Sequence, residues 1–152
     1  MKSVLIFTYL FLLIPTGALS NPGKLTPSYE LVLVDARWPD RPFLVEISAK
    51  NSKAIKTFEA YIENGVILDA KGYMQIGIAS GKVVHTQKTA QHAWNFRLDP
   101  LTVEFNDTTT EVCDSSFMGI ENNIDNWIKQ VGWFCPWSTH YMAQSIKKIW
   151  TK

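Results

Sequence analysis

Two cysteines, three histidines and fourteen carboxylate side chains are the residues of this chain whose types can do chemistry. Cys113 precedes Asp114, and His85 and His92 lie upstream, so the parts of a nucleophile, a base and an orienting acid are present. A thiol enzyme needs those parts within hydrogen-bond reach, and nothing in their spacing brings them together. Cys113 also sits in Glu111-Val112-Cys113, which reads as a short strand, and Cys135 offers it a simpler use in a disulfide. His85, His92 and His140 lack the i, i+4 spacing of a zinc hydrolase pair, so they read as loop histidines, and neither a metal nor a cofactor is expected. Glu104 and Glu111 flank an expected hairpin, with Asp114 beyond. Sugar hydrolysis wants two carboxyls about 5 to 10 Å apart across a cleft, which a domain this small seldom offers. Outward-facing strand carboxylates are the simpler reading.

The aromatic residues carry a second kind of chemistry. Trp38 lies in Arg37-Trp38-Pro39-Asp40-Arg41-Pro42, while Trp133 and Trp137 bracket Trp133-Phe134-Cys135-Pro136-Trp137. Loop aromatics offer contact area at low entropic cost, which suits them to bind protein partners or sugars. The competing reading is that the rings cover a disulfide and fill the core. The Trp38 segment has the form of an extended loop that can insert into an enzyme cleft. The basic, amphipathic run from Gln144 resembles a surface-binding helix, but two turns of chain serve better as a packed terminal element.

These residues must be positioned by a scaffold, and the chain supplies one. The run at residues 29–34 is almost continuously apolar, as a central strand requires. Residues 35–42 carry Pro39 and Pro42 and read as a loop or wide turn, and residues 43–47 as a second strand. Asn51 is a good N-cap and Asn64-Gly65 a good stop, and between them Ile55, Phe58, Tyr61 and Ile62 recur at helical spacing. Residues 74–78 alternate as a strand, and Ser80-Gly81-Lys82 reads as a bulge or turn before Val83-Val84. Trp94, Phe96 and Leu98 fall on one face, as do Leu101, Val103 and Phe105, in one bent strand or two short ones. Ser115 or Ser116 can cap a helix carrying Phe117, Ile120, Ile124, Trp127, Ile128 and Val131, which Gly132 ends. In the tail, Met142, Ile146, Ile149 and Trp150 fit a short helix, with a strand as the alternative. The order β-β-α-β-β-β-α predicts an α+β fold: a mostly antiparallel sheet of four to six strands with two main helices on one face.

The ends and the composition set the compartment. Residues 1–20 have the form of a signal peptide: Lys2, an apolar core from Val4 to Ile14, and Ala18-Leu19-Ser20 for cleavage after Ser20. Residues 21–152 then form a single exported domain, secreted or periplasmic, with no membrane span after cleavage. Loss of Lys2 leaves fourteen basic residues against fourteen acidic ones, so there is no electrostatic footprint for nucleic acid. Export makes Cys113 and Cys135 candidates for a disulfide, and two cysteines allow one pairing within the monomer. Asn106-Asp107-Thr108 is a glycosylation sequon.

Trp94-Asn95-Phe96-Arg97-Leu98-Asp99-Pro100, then Val103-Glu104-Phe105, then Glu111-Val112-Cys113-Asp114, then Cys135-Pro136-Trp137-Ser138 form a pattern. It resembles a domain family of small secreted bacterial proteins that also forms the N-terminal domain of a slime-mould protein whose name links it to calmodulin. The resemblance implies a shared fold, export and a cysteine pair, and it carries no catalytic or binding residues. The family's acidic, glycine-rich connection before Cys-Pro-Trp is replaced here by a tighter segment at residues 126–132. A calcium loop of alternating Asp or Asn, a central Gly and a closing Glu is absent from the sequence. The expected function is non-catalytic binding or inhibition of a protein partner through Trp38, Trp133 and Trp137. A small hydrolase or thiol enzyme is the alternative.

Overall fold

The computed structural model describes residues 25–64, 79–105, 112–135 and 141–151. The expected leader, the strand at 74–78, the Asn106 sequon, Glu111, Trp137 and His140 lie outside those residues. In chain order the elements are β1 (Thr26–Asp35), β2 (Trp38–Ile47), α1 (Ser52–Glu63), β3 (Ala79–His85), β4 (Phe96–Leu98) and β5 (Glu104–Phe105), followed by α2 (Phe117–Glu121), α3 (Ile124–Gln130), β6 (Trp133–Phe134) and β7 (Tyr141–Thr151). The fold is α+β and antiparallel, as expected, but its strands form two sheets. One has the order β2-β1-β7, and in the other β3 pairs with β4, β5 and β6.

β1 is the central strand its apolar run predicts, with Leu31, Val32, Leu33 and Val34 all buried. Of the loop expected over residues 35–42, Ala36 and Arg37 form a tight turn closed by the Asp35–Trp38 pair, and residues 39–42 bulge out of the ladder before Phe43 pairs with Leu33. The buried Asp35 carboxylate accepts hydrogen bonds from the Arg37 backbone N–H at 2.8 Å and from its guanidinium Nη2 at 2.7 Å, closing the turn locally. Pro39 and Pro42 lie in that bulge, where β2 makes no ladder pair with β1, and a bulge on an edge strand tolerates proline because no N–H is needed there.

That edge is covered by the chain at residues 92–100. Ala93 N–H donates to the Pro42 carbonyl at 2.8 Å, Leu44 N–H to His92 Nδ1 at 2.9 Å, and Ser48 N–H to the Pro100 carbonyl at 3.1 Å. An Arg97–Glu46 ion pair at 2.7 Å lies on the same seam. The two sheets thus meet edge to edge, with one imidazole standing in for a backbone acceptor.

α1 begins where Asn51 accepts a hydrogen bond from Ala54 N–H at 3.2 Å, while the same amide donates to the Val103 carbonyl at 2.8 Å. Its buried face sets Phe58 against Tyr29 and Phe105, with ring centroids 5.0 and 5.3 Å away. Asn51→Ala removes both the cap and the tether to residue 103, and is expected to lower stability by about 2 kcal/mol. Asn51→Asp keeps the cap acceptor and should recover about half in chemical denaturation. A loss under about 0.5 kcal/mol for the alanine variant would show that the helix start is held by packing alone.

Other expectations are corrected. β3 runs unbroken through Ser80-Gly81-Lys82. Leu101 is exposed, not core-facing, because Asp99 turns the chain: Leu101 N–H reaches Asp99 Oδ1 and Thr102 N–H reaches the Asp99 carbonyl. The helix expected from Phe117 onward is two helices broken at Asn122 and Asn123; Ser116 caps the first, and Gly132 at φ 71° ends the second. Val112 and Cys113 form a turn and not a strand. The tail is the strand β7, antiparallel to β1.

The apolar faces close on one core. Phe43 stacks on Phe117 at 4.6 Å, Trp94 leans on Phe117 at 4.9 Å, and Phe134 meets Phe96 edge-on at 5.9 Å. The Cys113–Cys135 disulfide, with Cα atoms 5.2 Å apart, ties the start of α2 to the end of β6. Among the described residues, no helix is long and apolar enough to cross a membrane.

Candidate binding surface

The chemistry-bearing residues are dispersed by the fold. Cys113 is bridged to Cys135 and has no thiol to offer. His85 pairs with Asp125 at 2.9 Å, both exposed. His92 is buried, with Nδ1 accepting from Leu44 N–H, so Nε2 carries the proton and donates to the Phe96 carbonyl at 2.7 Å. Burial holds its pKa below the ordinary imidazole value, against a smaller opposing effect from the Phe96 carbonyl. No group of three or more His, Cys, Asp or Glu side chains fit to hold a metal occurs among the described residues.

The expected aromatic sites fare unequally. Trp38 is 38% exposed at the first position of β2. Trp133 is half-buried in β6, opposite Lys82, and its carbonyl accepts from Trp127 Nε1 at 3.0 Å. Neither stands on a long loop, and Trp137 lies outside the described residues.

Two polar clusters that sequence reasoning did not find are structural ties. Arg41 lies over the buried Trp94 ring, 3.7 Å from its centroid, and its guanidinium donates to the Ala93 carbonyl and to Glu121. Lys88 meets the other Glu121 oxygen at 2.7 Å. Burial pushes the Glu121 carboxyl up, but Lys88 and Arg41 outweigh it and hold the pKa below the ordinary carboxylate value. On the far side Tyr29 donates to Glu59 at 2.6 Å, and Lys148 reaches the same oxygen at 3.0 Å, joining α1 to β1 and β7. The tyrosine hydrogen bond, ahead of Lys148, holds the Glu59 pKa low.

Among the described residues, the surface that these ties leave open is β7. Among the described residues this eleven-residue strand pairs with β1 alone. Its register skips between Val32 and Leu33, so Gln144 is the extra residue of a bulge, and the regular stretch runs from Ser145 to Thr151. Ile146, Lys148 and Trp150 share a face with Leu31, Tyr29 and Pro27; Ser145, Lys147 and Ile149 share the other with Val32, Glu30 and Ser28. Ile146 is 39% and Trp150 57% exposed, and Leu25 adds to the exposed apolar surface just before β1. On the other face Ile149 lines a groove of about 450 Å³ with Ser28, Glu30, Glu46, Ser48 and Lys50. Glu30 and Glu46 stand directly opposite one another, flanked by Lys147 and Arg97, so a row of four charges crosses the sheet.

No curated protein and no solved structure matches the chain at a significant level. A family model does match, over residues 39–146, which takes in every described element from β2 to the middle of β7 and leaves out the central strand β1. The chain belongs to the family of the BP-74 N-terminal domain.

Proposed function

We propose that the protein is an exported, non-catalytic module that binds a protein partner by accepting an extended segment of it along the outer edge of β7. The observation that carries this is the edge itself: a long strand, paired on one side among the described residues, with Ile146 and Trp150 turned to solvent. Unpaired N–H and C=O groups on such an edge are a template for another strand, and side-chain sites on alternating faces supply specificity. The bridged Cys113 and the fully engaged His92 support a binding role over a thiol or histidine mechanism. Trp38 is a secondary contact: it stands at the Asp35 end of the sheet and Trp150 at the Pro27 end, roughly 27 Å apart along β1.

The test is a selection of displayed linear peptides on the immobilised protein, with the binding site of the selected peptides mapped by amide exchange. Selected peptides should protect β7 amides, and Ile146→Lys or Trp150→Ala should weaken them about tenfold or more with the melting temperature unchanged. Trp38→Ala should matter less. Peptides that protect the Trp38 turn or β6 while leaving β7 exchange unchanged would sink this reading.

A further inference from the structure

Resting on that reading of β7, we infer that the segment it accepts is acidic at two consecutive positions between apolar ones, and is not a second copy of this chain. The argument starts from the bulge at Gln144, which leaves the seven residues from Ser145 to Thr151 for regular pairing. An incoming antiparallel strand places one residue opposite each of these, in the same alternation of faces. Opposite Ile146, Ile149 and Trp150 the neighbours that gain contact are apolar. Opposite Lys147 and Lys148 they are carboxylates, because opposite charges facing across a pair stabilise it and like charges oppose it.

Both ammonium groups are placed to respond. Lys147 is 70% exposed, and its contact to Glu30 is a loose 3.6 Å, so it can turn toward a new partner. Lys148 engages Glu59 and Tyr29 and lies 4.7 Å from the Trp150 ring centroid, which puts its charge beside the exposed indole. The same lysines argue against self-pairing. The antiparallel register that overlaps all seven residues is centred on Lys148 and sets it against its own copy. A bulge and paired lysines are how edge strands are kept from pairing with themselves.

The probes are two synthetic peptides, Ac-Thr-Val-Val-Glu-Glu-Val-Thr-amide and its counterpart with Lys-Lys at the centre, titrated into the intact protein by fluorescence anisotropy. The Glu-Glu peptide should bind at least tenfold tighter, the gap should narrow as salt rises from 50 to 500 mM, and Lys147→Gln should narrow it at constant salt. Equal affinity for both peptides, with β7 amides protected by each, would overturn the acidic preference and leave strand addition standing. Failure of both to bind at millimolar concentration would overturn the inference together with the reading it rests on. Sedimentation equilibrium of the protein alone should report a monomer at tens of micromolar. Self-association abolished by Ile146→Lys would overturn the inference in favour of a second copy.

Discussion

Replacing Cys113 and Cys135 together by serine is expected to lower stability by about 3 kcal/mol, from a bridge that closes a separation of 22 residues. In a domain of this size that corresponds to a melting temperature lower by roughly 10 °C. The effect should be uneven. The loop held by the bridge contains α2, α3 and β6, two of which have five residues or fewer, and β6 pairs with β3 over only two positions. Such short elements have little cooperativity of their own. The bridge and the Cys135 N–H to Cys113 carbonyl bond at 2.9 Å hold the two ends of that loop together. Amide exchange in the double variant should therefore quicken in α2, α3 and β6 well before β1 and β2, whose ladder does not depend on the bridge. Uniform loss of protection across both sheets would show that the bridge supports the whole fold, and an unchanged melting temperature would show that it supports none of it.

What could be read in the sequence depended on whether one periodicity had a rival. The start of α1 was legible because the Asn51 cap, the 3.6-residue spacing and the Asn64 stop agree, and β1 because an almost continuously apolar run of that length has one natural place in an antiparallel sheet. The tail was not. Met142, Ile146 and Trp150 recur every four residues, a step that returns to the same side of both a helix and a strand, so the apolar pattern alone cannot separate them. The open edge of β1 decided it. The break at Asn122 and Asn123 was hidden for the same kind of reason: Ile120 and Ile124 keep helical spacing across it, and only the backbone, with Asn123 at φ −144°, reveals the stop. Pro39 and Pro42 marked an irregular stretch correctly, but as a bulge within β2 and not as a loop, because the Asp35–Trp38 pair starts the strand before them.

The candidate surface was legible in part. Trp38 is partly exposed, whereas Ile146 and Lys147 carry no distinguishing signal in the sequence and gain their meaning only from the sheet edge on which they stand. The Arg41–Trp94 contact left no signal, since its partners lie 53 positions apart in the chain. Trp94, Phe96 and Leu98 are core, Asp99 closes a turn, and the Pro100 carbonyl receives Ser48 N–H. That run builds the seam between sheets, and the open chemistry lies elsewhere.

The seam makes its own prediction at His92. His92→Ala leaves Leu44 N–H and the Phe96 carbonyl without partners inside the core, and removes a ring 5.0 Å from Phe43. The expected loss is about 3 kcal/mol at pH 7.5 by denaturant unfolding. The pH dependence separates this role from mere packing. Because burial lowers the folded pKa of His92 below its unfolded value of about 6.5, the unfolded chain binds the proton more readily. The stability from the neutral ring is thus complete above about pH 6.5 and falls as pH drops from there toward the folded pKa, by at most about 1.4 kcal/mol per pH unit. A proton on Nδ1 also faces the Leu44 N–H, donor against donor. Glu46 favours that proton and Arg97 opposes it, and the two are paired with each other, so the local field is small beside the desolvation. The carboxyls of Glu59 and Glu121 are held below the ordinary carboxylate value, and every group other than His92 is common to both proteins and drops out of their difference. The gap in stability between the native chain and His92→Ala should therefore shrink as pH falls below about 6.5. Parallel curves would mean that His92 acts by filling space, and that the hydrogen bond to Leu44 does not hold the sheets together.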